Sequence, residues 1–410
     1  MKIREMARRC EALVRDPELR AVADWKRTHP GGRAIGYFPV YVPAELIHAA
    51  GMLPVGVFGA GGSVEIDHAD ARIQSFVCSI SRSTLELGLT GRLDLLDGMV
   101  FGSICDVARN LSGIWQRNLA GRLVEYVHYP QNPDSAHAAP YYRGELQRLR
   151  SALERLGGRP VEDGALRDSL RIYDRQRDLL RRLQAARRSE PWRFTWREAI
   201  ALARAGHVLP VEEHIALLEE ALPLVLSREG ARRDRVRVAI EGSFCEQPPP
   251  ELLDIVEEAG CYVVEDDLLL GLRWFDRPVE AEGDPLSAMA RAFIDSGVTT
   301  SIRHDRRRKG DALLERVAAS GAEGVIFSAA KFCEPALLDY PLMRAALARR
   351  NVPCLAFEFE EKMGTFESIR TQVETFVESI LFFDPDEPAA PPDARSAAPQ
   401  GAPTGSARPA

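Results

Sequence analysis

The sequence predicts an α/β protein with two parallel-sheet lobes joined by a helical region. Three observations carry this. Short apolar runs bounded by Gly and Pro alternate with helical stretches in two separate parts of the chain. The strand signal vanishes between those parts, from about 141 to 230. The chain also has 410 residues, more than the roughly 250–300 at which single hydrophobic cores stop growing.

Taken in order, residues 1–31 are expected to form an N-terminal helix. Leu13, Val14, Leu19, Val22 and Trp25 give it an apolar face, and His29-Pro30-Gly31-Gly32 stops it. The first α/β lobe covers 32–140. Its strands are AIGYFPVYV (34–42), LPVGVF (53–58), DGMVFGSI (97–104) and LVEYVHYP (123–130). They read as continuous apolar runs because parallel strands are buried on both faces. AELIHAAG (44–51) and CSISRSTLELGL (78–89) are helices between them. The helical region covers 141–230, where ELQRLRSALERLG and LRIYDRQRDLLRRLQAARR repeat apolar residues at three- and four-residue spacing. Its many arginines are expected on solvated faces. The second lobe covers 231–383, with strands RVRVAIEG (235–242), GCYVVEDD (260–267), AEGVIFSA (322–329) and VPCLAFEF (352–359) and a closing helix FESIRTQVETFVESILFF. Residues 384–410 are rich in Pro and Ala and are expected to form a disordered tail, since they cannot bury enough to fold.

The two lobes echo each other. In the first, a strand is followed by Pro43-Ala44-Glu45-Leu46-Ile47, a helix and Gly51. In the second, a strand is followed by Pro249-Pro250-Glu251-Leu252-Leu253, a helix and Gly260. The third strand of each runs into a cysteine, Cys105 or Cys333. Two similar domains facing one another follow from this weak repeat.

Charge and composition exclude several function classes. The formal net charge is −7, whereas nucleic-acid binding normally needs a basic face. No apolar run reaches the roughly 18–20 residues of a membrane span, and the charged N-terminus has no apolar segment of the signal-peptide kind. No partnership with nucleic acid or membrane is expected. There is no P-loop, and Gly59-Ala60-Gly61-Gly62 lacks the third glycine of a dinucleotide fingerprint and reads as a flexible turn. The eight histidines are dispersed. The acidic run at 358–361 reads as a solvated loop edge, with proton transfer as the sharper alternative.

The seven cysteines are scattered and odd in number, which suits a reducing cytosol better than a disulfide scaffold. Cys261 and Cys354 sit in strands, as buried structural cysteines do. Cys105 and Cys333 instead follow strands and precede a carboxylate, and ligands of α/β domains gather at such strand ends. Cys78 lies at an expected helix start, where the dipole favours a thiolate. From position alone, these three are candidates for ligand, nucleophile or core residue. Three thiolates are one short of the usual set for a [4Fe–4S] cluster, which leaves an open iron position. Cys10, Cys245, Cys261 and Cys354 are expected to be dispensable.

The segments IGYFPVYVPAELIHAAGMLPV, HADARIQSFVCSISRSTLELGL, SICDVARNLSGIWQRN, KFCEP and EFEEKMGTFESIRTQVETFVE together resemble the 2-hydroxyacyl-CoA dehydratase/benzoyl-CoA reductase family, from about residue 30 to 383. Within it, the likeness is to the C (gamma) type of subunit in the ATP-dependent reductases. The resemblance implies two Rossmann-like (flavodoxin-like) lobes with a [4Fe–4S] cluster held by three cysteines. Cys78, Cys105 and Cys333 fall on those motif positions. It implies a cytoplasmic hetero-oligomer: a homologous reductase subunit and two ATP-hydrolysing electron-activating subunits, with ATP on those partners and ferredoxin as donor to the complex. It implies an oxidoreductase acting on CH–CH groups, here the one-electron dearomatising reduction of benzoyl-CoA to a cyclohexadiene carbonyl-CoA in anaerobic aromatic degradation. Two other roles are compatible with it: a subunit of a 2-hydroxyacyl-CoA dehydratase, and a non-catalytic electron relay or scaffold. SFVCSISRSTLELGL and NLSGIWQRN favour the reductase. The true acyl-CoA substrate, the subunit that binds it, the CoA-binding residues and the proton donor stay open.

Overall fold

Two four-stranded sheets, all parallel, organise the chain. The computed structural model describes residues 3–38, 40–242, 245, 248–267, 278–279, 282–296 and 306–382. The tail expected at 384–410 lies outside the described residues. The first sheet is built from β1 (Ala34–Phe38), β2 (Leu53–Gly56), β3 (Gly98–Gly102) and β4 (Leu123–Val127), in the order β2-β1-β3-β4. The second is built from β5 (Val236–Glu241), β6 (Cys261–Asp266), β7 (Gly324–Ala330) and β8 (Cys354–Phe359), in the order β6-β5-β7-β8. The two orders are the same pattern, that of flavodoxin-like doubly wound sheets. The predicted α/β class with two lobes therefore holds, and each of the eight expected strands is present.

The sheets form because their runs are apolar on both faces. All of β1, β3, β6 and β7 is buried. Pro54 lies in β2, which is an edge strand, where a missing N–H costs no ladder bond to a further neighbour. The repeated Pro-Glu-Leu segments start equivalent helices, α3 (Ala44–Ala49) after Pro43 and α10 (Pro250–Glu258) after Pro249. Gly51 and Gly260 then turn the chain with φ of +74° and +104°, values a side chain resists.

The N-terminal segment departs from the single helix expected. It folds as α1 (Ile3–Val14) and α2 (Arg20–Thr28). The break lies at Asp16-Pro17. Pro17 disfavours helical backbone in the residue before it and has no N–H to donate. The Asp16 carboxylate instead accepts from the Arg20 and Glu18 N–H groups at 2.9 and 3.2 Å.

Between the sheets run α6 (Ala138–Gly157), α7 (Asp163–Ser189), α8 (Trp196–Ala205) and α9 (Val211–Leu226). The long helix α7 ties both lobes. Arg177 on it pairs with Glu45 of α3 at 2.6 Å, and these side chains are 4% and 1% exposed. Nearer its C-terminus, Arg187 pairs with Asp266 of β6, both side chains being 0% exposed. Gln184 adds hydrogen bonds to the Val264 carbonyl and the Glu265 carboxylate, and Arg188 pairs with Glu265. The expectation of solvated arginines is thus corrected at Arg177 and Arg187, because each meets a carboxylate from a distant element. Among the described residues no helix is long and apolar enough to cross a membrane.

Candidate metal centre

Each predicted cysteine stands immediately before a helix. Cys78 is the N-cap of α4 (Ser79–Leu89), Cys105 of α5 (Asp106–Asn118) and Cys333 of α13 (Glu334–Ala348). Local chemistry explains these positions. The Cys105 sulfur accepts from the Ala108 N–H at 3.4 Å, the N-cap pattern in sulfur form. The Cys78 sulfur lies 3.2 Å from the Ser81 hydroxyl. Cys333 is followed by Glu334-Pro335 in the first turn of α13, where proline's fixed φ suits a helix start. Just before it, Phe332 takes a φ of +62°, a strained value for a bulky residue. That turn swings the chain from β7 into α13.

These three cysteines line one cavity between the lobes. Phe38, Ile80, Ile104, Val107, Phe332 and Pro335 make most of its remaining wall. Cys78 and Cys105 come from the first lobe and Cys333 from the second, so the cavity needs both lobes. Three helix N-termini converge there, and their partial positive charge favours an anionic group. Asp106 and Glu334, in the first turns of α5 and α13, set negative charge beside it.

A fourth thiol joins them. Cys245 lines the same cavity and is buried, so it does not stand apart with Cys10, Cys261 and Cys354 as expected. Cys261 and Cys354 open their strands, at the ends opposite to those that lead into the cavity. A sequence signal for Cys245 exists: Phe-Cys-Glu occurs both at 244–246 and at 332–334. No motif position marked it, and a lone cysteine is most often a small core residue.

Burial pushes the Cys105 thiol up; the Ala108 and Val107 N–H groups pull it back, and the Glu334 and Asp106 carboxylates oppose them. Burial also holds the Cys245 thiol well above its ordinary value, with Cys333, Cys105 and Cys78 adding to the effect in that order. Buried thiols of this kind give up their protons when a metal replaces them.

Among the described residues, no three His, Cys, Asp or Glu side chains are grouped to hold a single metal ion. One tetrahedral ion would need sulfurs roughly 3.8 Å apart at metal–sulfur bonds near 2.3 Å. A cluster is less demanding, because each thiolate binds a different iron. An all-thiol donor set, an apolar wall and three helix N-termini fit an iron–sulfur cluster on chemical grounds.

A second, larger cavity opens near the ends of β2 and β8. Gly56, Phe58, Gly59, Arg204, His207 and Glu361 line it. Glu361 is half-buried there, whereas Glu358 of the same acidic run is exposed. Glu361 docks on the Gly59–Gly62 turn, where a Cβ on Gly59 would fall 2.1 Å from its Oε1. Burial raises its carboxyl pKa, against hydrogen bonds from Ser83, Gly61 and Gly62. Burial lowers Arg204 to about 10, while Glu361 partly restores its charge.

The family model described as 2-hydroxyglutaryl-CoA dehydratase, D-component, matches residues 39–380. The chain is 44% identical to the benzoyl-CoA reductase C-subunit of Thauera aromatica, over 93% of this chain and 99% of that protein. It is 29% identical to the beta subunit of lactoyl-CoA dehydratase of Anaerotignum propionicum, over 88% and 95%. It is 26% identical to the beta subunit of (R)-2-hydroxyglutaryl-CoA dehydratase of Acidaminococcus fermentans, over 85% and 93%.

Proposed function

Since the chain belongs to the 2-hydroxyglutaryl-CoA dehydratase D-component family, we propose that it is the iron–sulfur subunit of an ATP-dependent benzoyl-CoA reductase. The observation that carries this is the convergence of Cys78, Cys105 and Cys333 at three helix N-termini in one apolar inter-lobe cavity. The 44% identity to a benzoyl-CoA reductase subunit, against 29% and 26% to dehydratase subunits, supports the reductase reading. On this reading Cys78, Cys105 and Cys333 hold a [4Fe–4S] cluster, which supplies one-electron reducing power when bound. The protein's own part is to give thiolates, to offset negative charge with the helix ends and to keep water out with the buried Phe38, Ile80 and Ile104.

The relatives' being named as subunits supports a wider reading, in which partner subunits work with this chain. The chain works in a cytoplasmic hetero-oligomer with a homologous subunit and two ATP-hydrolysing subunits fed by ferredoxin. The reaction is the dearomatising reduction of benzoyl-CoA, an oxidoreduction at CH–CH groups.

Two experiments test this. Anaerobically purified Cys78→Ala, Cys105→Ala and Cys333→Ala should each lose bound iron; normal iron content removes that residue from the site. The complex, given reductant and ATP, should consume benzoyl-CoA. Turnover of a 2-hydroxyacyl-CoA alone would move the protein to the dehydratases.

A further inference from the structure

The larger cavity, near the ends of β2 and β8, shares no lining residue with the one the cysteines line, and nothing in the cluster reading uses it. Its walls come from distant parts of the chain. Val14 and Leu19 reach it from α1 and the start of α2, Phe58 and Gly59 follow β2 of the first lobe, and Leu253 of α10 and Glu361 stand in the second. Leu87 of α4 and Ile200 of α8 complete an apolar lining.

Set into that lining is one guanidinium. Arg204 lies in the last turn of α8, with its Cζ 5.8 Å from the centre of the Phe58 ring. Phe58 is itself held by His207, at 4.5 Å between ring centres, and edge-on by Tyr37 at 6.3 Å. The other cations of the lining are engaged. Arg197 pairs with Glu11 at 2.9 Å and with Asp254, and Arg15 pairs with Glu11 at 3.6 Å. Among the described residues Arg204 has neither an ion-pair nor a hydrogen-bond partner. Glu361 attracts it, yet that carboxyl is already bonded to the Ser83 hydroxyl and to the Gly61 and Gly62 N–H groups. A buried guanidinium carries five donors and is costly to leave unpaired. The Arg204 nitrogens are not among the fully enclosed unpaired atoms of the protein, so they face the open space of the cavity.

These features describe a ligand. A guanidinium fork matches a carboxylate, with two parallel hydrogen bonds. The apolar lining asks for an apolar body, and the Phe58 ring favours a flat aromatic one. Glu11, Asp16 and Glu361 share the lining and disfavour a second negative charge on the same molecule. We infer that this cavity binds a small aromatic monocarboxylate, its carboxylate paired with Arg204 and its ring packed on Phe58. Such a ligand touches α8, the N-terminal helices and both lobes at once, so it acts as an effector that holds them together.

Isothermal titration of the full chain, purified anaerobically, tests this with benzoate as the probe. Benzoate should bind as a single equivalent. Benzamide, of the same shape without the charge, should bind at least about ten-fold more weakly, the worth of a hydrogen bond to a charged group. Arg204→Gln should bring benzoate down to the benzamide level, and Arg204→Lys, which keeps the charge but not the fork, should fall between. Phe58→Leu should weaken benzoate and benzamide alike. Benzoyl-CoA has no carboxylate on its acyl group and should not displace benzoate. Equal affinity for benzoate and benzamide, or no heat with benzoate up to about 10 mM, overturns the inference on the parent protein, with no variant needing to fold. So does benzoate binding unchanged in Arg204→Gln. Displacement by benzoyl-CoA overturns it too, and would make the cavity part of a thioester site. Iron content enters none of these outcomes, so failure of the cluster reading leaves this inference standing, and its own failure leaves that reading untouched.

Discussion

Lowering the pH from 8 to 5 challenges a histidine on which the inter-lobe seam depends. His207 follows α8, and its ring Nδ1 lies 2.6 Å from the Tyr37 hydroxyl of β1. Its carbonyl accepts the Gly56 N–H of β2 at 2.7 Å. Burial, then the charges of Arg204 and His214, lowers its pKa from 6.5 to about 3. The unfolded chain takes up this proton near pH 6.5 and the folded chain only near 3, so the neutral ring's contribution is complete above 6.5 and fades as pH falls towards 3. At pH 5 the loss is roughly 2 kcal/mol, from RT ln(1 + 10^1.5). That is a sizeable part of a typical stability of about 5–15 kcal/mol. Glu257 works in the opposite sense. Burial pushes it up to about 7, against the Trp196 N–H and the charges of Arg187 and Arg235, so its protonation favours the fold in the same window. Comparing a variant with its parent cancels that effect. Urea unfolding of the parent and of His207→Gln, followed by tryptophan fluorescence, should show the variant less stable at pH 8. The gap should narrow by about 2 kcal/mol at pH 5. A gap of constant size at both pH values refutes the reasoning, because His207 would then titrate as it does in water.

Arg187→Met should lower stability by about 3–5 kcal/mol, since it removes the guanidinium that pairs with the Asp266 carboxylate at 0% exposure. Thermal unfolding reads this, and Arg187→Met combined with Asp266→Leu should recover most of the loss. Gly88→Ala puts a Cβ 2.6 Å from Trp115 Cη2 and 2.9 Å from Leu119 Cδ1, so α4 must back away from α5. The expected cost is about 1–3 kcal/mol. Because Cys78 and Cys105 begin those two helices, iron content should fall as well. Melting temperature and bound iron together check it, and unchanged iron would mean that the helix starts are placed independently of this packing.

The strands were legible because each is a short apolar run closed by Gly, Pro or a charge, a pattern that parallel burial enforces. Their duplication was legible too, since Pro43-Ala44-Glu45 and Pro249-Pro250-Glu251 sit at equivalent helix starts. Cys78 stood out at an expected helix start, and Cys105 and Cys333 by following strands and preceding a carboxylate. The rest depended on long-range pairing. Whether Arg177 and Arg187 face water or a carboxylate is decided by Glu45 and Asp266, far away in the chain. Glu361 looked solvated until the Gly59–Gly62 turn came to meet it. Cys245 is the sharpest case: a buried thiol in the core and a buried thiol in a shared cavity have the same local sequence, and only the approach of the other lobe distinguishes them.

The division of the cavity between two lobes also orders events during synthesis. Cys78 and Cys105 leave the ribosome with the first sheet, well before Cys245 and Cys333 exist. At roughly 5–20 residues per second the interval is on the order of ten seconds or more. During it, the early pair stands on a half-built wall, and no complete ligand set can form. On the proposed cluster reading, iron delivery comes after translation has passed the second sheet. On the same reading, oxidation of two waiting thiols makes the oxygen tension at the time of synthesis, and not only during turnover, a determinant of how much active protein a cell obtains.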